Sequence, residues 1–230
     1  MSAKPITTIL FDLDGTLIDS APDLCGSINH MLAKLDRESF DDDMIHHWVG
    51  NGAQMLVSRA LAGKRDIKCE IDSSLLDKAM DIFLSHYKEN LCVDTYLYDG
   101  VKDTLKKLKG LEYQIVIVTN KPVEFVQPII CRLGIDEYID YFIGGNSLSS
   151  KKPDPAPLLH ICEHFDIEID KCVMIGDSKN DILAARACDM DSIAVSYGYN
   201  YGEDISIYEP DFIVDSLADI MPIITGKTNA

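Results

Sequence analysis

The chain has 230 residues, 47 % hydrophobic and 26 % charged, enough for one large or two small domains with a sizeable core. A formal net charge of −17 argues against nucleic acid and anionic membrane surfaces as partners, since both require basic patches. The 7 cysteines form no C-x-x-C pair, and neither a signal peptide nor a membrane-spanning run is present, so a cytoplasmic protein with reduced, mostly core-packed thiols is expected.

Ile6-Thr7-Thr8-Ile9-Leu10 is β-branched and apolar and reads as a buried strand. It runs into Asp12-Leu13-Asp14-Gly15-Thr16, which sets two carboxylates at the strand's C-terminal end, where open α/β sheets bind ligands. Two acids this close repel as anions, so a cation or a held proton is needed. Gly15 comes too soon after Asp12 for an EF-hand loop. By itself the stretch also reads as a polar turn.

Ser20-Ala21-Pro22-Asp23 reads as a helix start, with a capping serine, a proline in the first turn and an acid three residues on. Leu24, Ile28, Met31, Leu32 and Leu35 continue at helical spacing. Asp41-Asp42-Asp43 opens a second helix with Met44, Ile45 and Trp48 on one side, its acids serving the helix dipole. Gly50-Asn51-Gly52 breaks it and starts a third, and Leu75 to Tyr87 marks a fourth. Residues 21–92 are therefore expected to form an all-helical cap inserted after the first strand, with residues 1–20 and 93–230 forming an α/β core. The crossings near residues 18–21 and 93–100 would be its hinge.

Beyond the insert, strands and helices alternate. Gln114 to Val118 is a strand ending in Thr119-Asn120; Tyr141 to Ile143 is a short one, followed by Lys151-Lys152-Pro153. Cys172 to Ile175 ends in Gly176-Asp177, with Asp181 in the next helix start. Ile193 to Val195 and Phe212 to Val214 are the last strands, and the tail 225–230 reads as loose. This alternation implies α/β, a doubly wound parallel sheet. Such a sheet gathers its strand ends on one edge. Asp12, Asp14, Thr119, Asn120, Lys152, Asp177 and Asp181 then converge, a set suited to phosphoryl transfer. Singly, each has a plain alternative: a capping pair, a surface lysine, helix-start acids. Together, at successive strand ends, chance does not explain them.

The ordered set Asp12-Leu13-Asp14-Gly15-Thr16, Thr119, Lys152-Pro153 and Gly176-Asp177-Ser178-Lys179-Asn180-Asp181 resembles the four motifs of the haloacid dehalogenase superfamily of phosphotransferases, over essentially the whole chain. Segments 48–53, 118–122 and 197–203 look more narrowly like the bacterial phosphoglycolate phosphatase family. That resemblance implies hydrolysis of 2-phosphoglycolate to glycolate and phosphate with Mg2+. It implies Asp12 as nucleophile and Asp14 as acid and base. Mg2+ would sit on Asp12, the carbonyl of Asp14 and Asp177, with Asp181 beside them. Thr119, the amide of Asn120 and Lys152 would hold the phosphoryl group. For the substrate carboxylate, the helix start at Gly50-Asn51-Gly52 and Arg59 are candidates, with Lys121 and Lys179 as other cations. The rivals are another phosphatase or a mutase of the superfamily, acting on a sugar phosphate, nucleotide or pyrophosphate. A phospho-accepting regulatory module is a third, although such modules lack the second Asp and the helical insert. The expected partner is a small phosphorylated metabolite, and the state a monomer or homodimer.

Overall fold

The structure, a computed structural model, describes residues 5–68 and 70–226. Met1–Lys4, Cys69 and the tail beyond Gly226 lie outside the described residues. The chain runs β1 (Thr8–Phe11), β2 (Ile18–Asp19), α1 (Ala21–Lys34), α2 (Asp42–His46), α3 (Ala53–Ala62), α4 (Ser73–Glu89) and β3 (Tyr96–Leu97). It continues through α5 (Val101–Gly110), β4 (Gln114–Val118), α6 (Val123–Arg132), β5 (Tyr141–Ile143), α7 (Ala156–Phe165) and β6 (Cys172–Gly176). It ends with α8 (Lys179–Ala187), β7 (Asp191–Val195), β8 (Phe212–Val214) and α9 (Ile220–Ile224).

Six strands form one parallel sheet in the order β5-β4-β1-β6-β7-β8. Thr8 stands opposite Gln114 on one side and Cys172 on the other, so the three central strands are in step. Their side chains then sort by parity, since successive residues of a strand point to opposite faces. Ile9, Phe11, Ile115, Ile117, Val173 and Ile175 pack with α5 and α6 residues such as Leu105 and Ile129. Leu10, Val116, Val118 and Met174 pack with Leu158 and Ile161 of α7 and Ala184 of α8. Both faces are covered, which is why these strands read as unbroken apolar runs. Each fully buried Ile, Leu or Phe contributes about 1.5–3 kcal/mol.

Helices α1 to α4 lie between β2 and β3, and their buried residues continue the odd-numbered face of the core. The two crossings are joined more firmly than the sequence suggested. β2 and β3 pair antiparallel, Ile18 opposite Leu97 and Asp19 opposite Tyr96. The helix start at Ser20 also differs from expectation. Ser20 makes no capping bond; its hydroxyl donates to Asp14 Oδ1 at 2.6 Å. Asp23 instead accepts from the main-chain N–H groups of Val93, Asp94 and Thr95 and from the Thr95 hydroxyl. Met44 is exposed while Ile45 and Trp48 are buried, because the five-residue α2 is too short to hide more than one side. Among the described residues no helix is long and apolar enough to cross a membrane.

Candidate active site

Strand β1 delivers Asp12 to the C-terminal edge of the sheet, and the neighbouring β6 delivers Asp177. Gly15 lets them approach: its backbone has φ +88°, and a Cβ there would run into the Asp177 carboxylate. Asp177 accepts from the Thr16 hydroxyl at 3.0 Å and from the Tyr199 main-chain N–H at 2.7 Å. Asp12, Asp177 and Asp181 each bring a carboxylate oxygen within 4.8 Å of the others, all three buried.

This concentration of buried negative charge has an electrostatic signature. Burial pushes the Asp12 carboxyl from 3.8 up to about 6, with Lys152 pulling the other way and Asp181 adding to the rise. Burial, then Asp181 and Asp12, hold the Asp177 carboxyl well above the usual range. Asp12 Oδ1 is buried and has no hydrogen-bond partner. Lys152 Nζ lies 3.1 Å from it, an ion contact outside hydrogen-bond geometry. An oxygen-only donor set that repels itself and leaves one oxygen unpartnered fits a hard divalent cation.

Lys152 is nearly sealed from solvent and lies 2.6 Å from Asp181 Oδ1. Burial opposes its charge, but Asp12 and Asp181 more than offset that and hold the ammonium protonated. Asp181 Oδ2 accepts from the main-chain N–H and the hydroxyl of Ser178, closing a capping box at the start of α8. Both Asp181 oxygens therefore have work inside the protein, Asp177 accepts one bond on each of its oxygens, and Asp12 Oδ1 alone of the trio's buried oxygens lacks a hydrogen bond.

The Asp14 side chain turns away from this trio. Its carboxylate oxygens lie 2.9 and 3.1 Å from Lys121 Nζ, and Ser20 donates to Oδ1. Lys121 is buried; burial disfavours its charge, and Asp14 and Tyr87 reverse this and hold it above its ordinary value. Burial in turn pushes the Tyr87 hydroxyl up to about 12 against the pull of Lys121.

Thr119 and Asn120 follow β4. Thr119 Oγ1 accepts from the Lys121 main-chain N–H at 3.2 Å, which leaves its own proton for another acceptor. The Asn120 side-chain amide is already used: Nδ2 donates to Gly50 O at 3.1 Å and Lys152 O at 2.9 Å. Its Oδ1 is buried without a partner, and of its donors only the main-chain N–H remains for a ligand. Gly50 O also accepts from Asn180 Nδ2 at 3.1 Å, so the loop before α3 is latched onto the sheet edge from two sides.

Under that latch lies a narrow cavity. Asp12, Asp14, Thr119, Asn120 and Lys121 line its sheet side, and Gly50, Gly52 and apolar residues of α1, α3 and α4 line the rest. Asn51 is placed differently. Its side chain points at Asn180 Oδ1, 3.4 Å away, and its carbonyl accepts from Lys151 at 2.8 Å. Arg59 does not reach the cavity. It donates to the carbonyls of Trp48 at 2.6 Å and Arg65 at 3.1 Å and stacks over Tyr201, so it fastens helices together. Lys179 pairs with Glu203. The site residues that sequence reasoning passed over are Ser20, Tyr87 and Asn180; Asn180, inside the last motif, was the one with a signal.

The haloacid dehalogenase-like hydrolase family model matches residues 9–195. A phosphoglycolate phosphatase of Colwellia psychrerythraea is 50 % identical, covering 96 % of this chain and 98 % of that one. The phosphoglycolate phosphatase of Psychrobacter arcticus is 44 % identical over 93 % of both chains. Among solved structures, that of a "predicted phosphoglycolate phosphatase" from Haemophilus somnus superposes with a TM-score of 0.88 at 39 % identity, over 95 % of this chain and 97 % of that one. With the strand-end aspartates and the parallel sheet already described, these likenesses place the chain: it belongs to the haloacid dehalogenase-like hydrolases and is a phosphatase of that superfamily.

Proposed function

We propose that this protein hydrolyses 2-phosphoglycolate to glycolate and phosphate, with residues 21–92 acting as a cap over the site. Likeness over nearly the whole chain to two phosphoglycolate phosphatases, at 50 and 44 % identity, carries this reading. A small cavity with one buried lysine, closed by a helical insert, supports it.

Asp12, Asp177 and the main-chain carbonyl of Asp14 would hold Mg2+, which when bound neutralises charge on the carboxylates and the phosphoryl oxygens. Asp12 attacks phosphorus, the phosphorus–oxygen bond to the leaving group breaks, and an aspartyl phosphate forms on Asp12. Asp14 gives a proton to the leaving oxygen, then takes one from the water that attacks the acyl phosphate. Lys152, fixed by Asp181, balances the charge of Asp12 and the phosphoryl group. Thr119 donates its free hydroxyl proton, and the Asn120 main-chain amide donates beside it. The closed loop 49–53 keeps water from competing until the leaving group has gone.

The test is kcat/KM across a panel of phosphorylated metabolites. 2-Phosphoglycolate should lead; a sugar phosphate, nucleotide or pyrophosphate exceeding it by tenfold would overturn the substrate assignment.

A further inference from the structure

We propose that Lys121 and Tyr87 together form a subsite for a second anionic group on the substrate, a carboxylate standing two or three bonds beyond the phosphoester oxygen. The proposal rests on the function given above and adds where the carboxylate is read.

Lys121 is the one cation among the described residues that line the cavity. It is 4 % exposed, and Asp14 is its only ion-pair partner there. Its Nζ stands 5.0 Å from the centre of the Tyr87 ring. Tyr87 comes from α4 of the helical insert and is 1 % exposed. Its hydroxyl is buried and makes no bond of full hydrogen-bond geometry, with the Lys121 ammonium the cation that pulls on it, and Tyr87 is one of the residues lining the cavity. A buried hydroxyl left without a partner costs about 1–3 kcal/mol. Such a group in a ligand cavity marks where a ligand atom supplies the missing bond.

The remaining walls decide what that ligand can be. Leu24, Val49, Leu56, Phe83 and Phe125 offer no polar side-chain atoms. A sugar or nucleotide would bring several hydroxyls with nothing to bond. A short chain with one terminal anion would set its methylene against the apolar wall. Its two oxygens would meet the ammonium and the phenol. Lys121 already holds a carboxylate, that of Asp14, so the ammonium is oriented for this geometry before substrate arrives. The likeness of the Asp14 contact to the proposed one also defines the alternative: Lys121 could serve Asp14 alone.

The experiment uses the metal-loaded full chain and p-nitrophenyl phosphate as reporter. It measures inhibition by 3-phosphonopropanoate, an isostere of 2-phosphoglycolate with methylene in place of the ester oxygen. The comparison is 3-phosphonopropanamide, which lacks the negative charge. A hydrogen-bonded charge pair predicts that the wild type binds the acid on the order of 10- to 100-fold more tightly than the amide. Lys121→Met should bring that ratio to within about threefold of unity, and Lys121→Arg should keep most of it. Tyr87→Phe, which changes one atom and keeps the ring packing, should lower the ratio roughly tenfold through the acid alone. A wild-type ratio near one overturns the subsite, even if 2-phosphoglycolate is turned over. So does an unchanged ratio in Tyr87→Phe and Lys121→Met, which would assign Lys121 to Asp14 alone. Conversely, a charge-dependent ratio abolished in Lys121→Met upholds the subsite even if 2-phosphoglycolate is not the preferred substrate.

Discussion

Lys152 Nζ lies 2.6 Å from Asp181 Oδ1, and neither side chain is open to solvent. The pair is positional: Asp181 is itself clamped by Ser178, so Lys152 is held in one place beside Asp12. Without Asp181 the buried ammonium keeps only Asp12 as a counter-charge. Asp181→Asn is therefore expected to lower the unfolding free energy by about 1–3 kcal/mol, the cost of a lost hydrogen bond to a charged group. It should also cut kcat at least tenfold, because an amide nitrogen would face the Ser178 N–H or the ammonium. Urea unfolding and steady-state rates on p-nitrophenyl phosphate read both. Unchanged kcat in a folded variant would remove Asp181 from the positioning of Lys152.

Asp12 gives a pH signature in the metal-free protein. Its folded carboxyl is raised from 3.8 to about 6, so the native state holds this proton more tightly than the unfolded chain does. The resulting stabilisation is complete below the unfolded value and lost as pH rises through the folded one. Comparison with Asp12→Asn cancels most other groups. The stability of wild type relative to that variant should fall by roughly 2.4 kcal/mol between pH 4 and 7. A flat difference would mean that the site relieves its charge some other way. The same variant should lose turnover and fail to trap phosphate covalently on acid quench.

Mg2+ should stabilise the protein, because the folded carboxylates gain a partner that the unfolded chain cannot organise. At a hundredfold excess over Kd, mass action contributes about 2.7 kcal/mol. This corresponds to a Tm rise of roughly 5–10 °C for a chain this size. Asp177→Ala should abolish most of the rise. Calcium should stabilise but inhibit, since its looser geometry lets Asp12 bind through both oxygens. Full activity in excess chelator would defeat the metal assignment.

Gly52 sits at the seam between loop and sheet, with φ +85° and room for a Cβ only 3.0 Å from Asn120 O and 3.3 Å from Lys151 Nζ. Gly52→Ala should hold the loop away from Asn120 and raise KM by about tenfold, a penalty of about 1.4 kcal/mol. Charged and neutral phosphomonoesters should suffer alike, because the lesion opens the cavity rather than changing its lining. Asn51→Ala should do less, as the Asn51 bond to Lys151 runs through the main chain. An unaltered KM in Gly52→Ala would show that the latch is not needed for binding.

Arg59 is expected to matter for stability and not for specificity. Its two carbonyl contacts lie outside the cavity. Arg59→Met should cost about 1.5–3 kcal/mol in unfolding free energy and leave KM for 2-phosphoglycolate within twofold. A large KM effect without loss of stability would return Arg59 to the substrate.

Strands and strand-end residues were legible in the sequence because their causes are local. β1, β4 and β6 are short apolar runs, each stopping at a polar residue, and a parallel sheet must bring such ends to one edge. Asp12, Asp177 and Asp181 could therefore be grouped before any coordinates were known. What the sequence could not decide was direction and allegiance over distance. Nothing local says that Ser20 spends its hydroxyl on Asp14 instead of its helix, or that Asp23 binds a segment 70 residues on. Arg59, further along the helix that starts after Gly52, looks like an anion binder until the carbonyls of Trp48 and Arg65 are seen to accept its N–H groups. Lys121 and Tyr87 lie on different elements, 34 positions apart in the chain, and meet only because the helical insert folds back over the sheet edge. Burial and the pairing of charges depend on that return, and so belong to the tertiary structure alone.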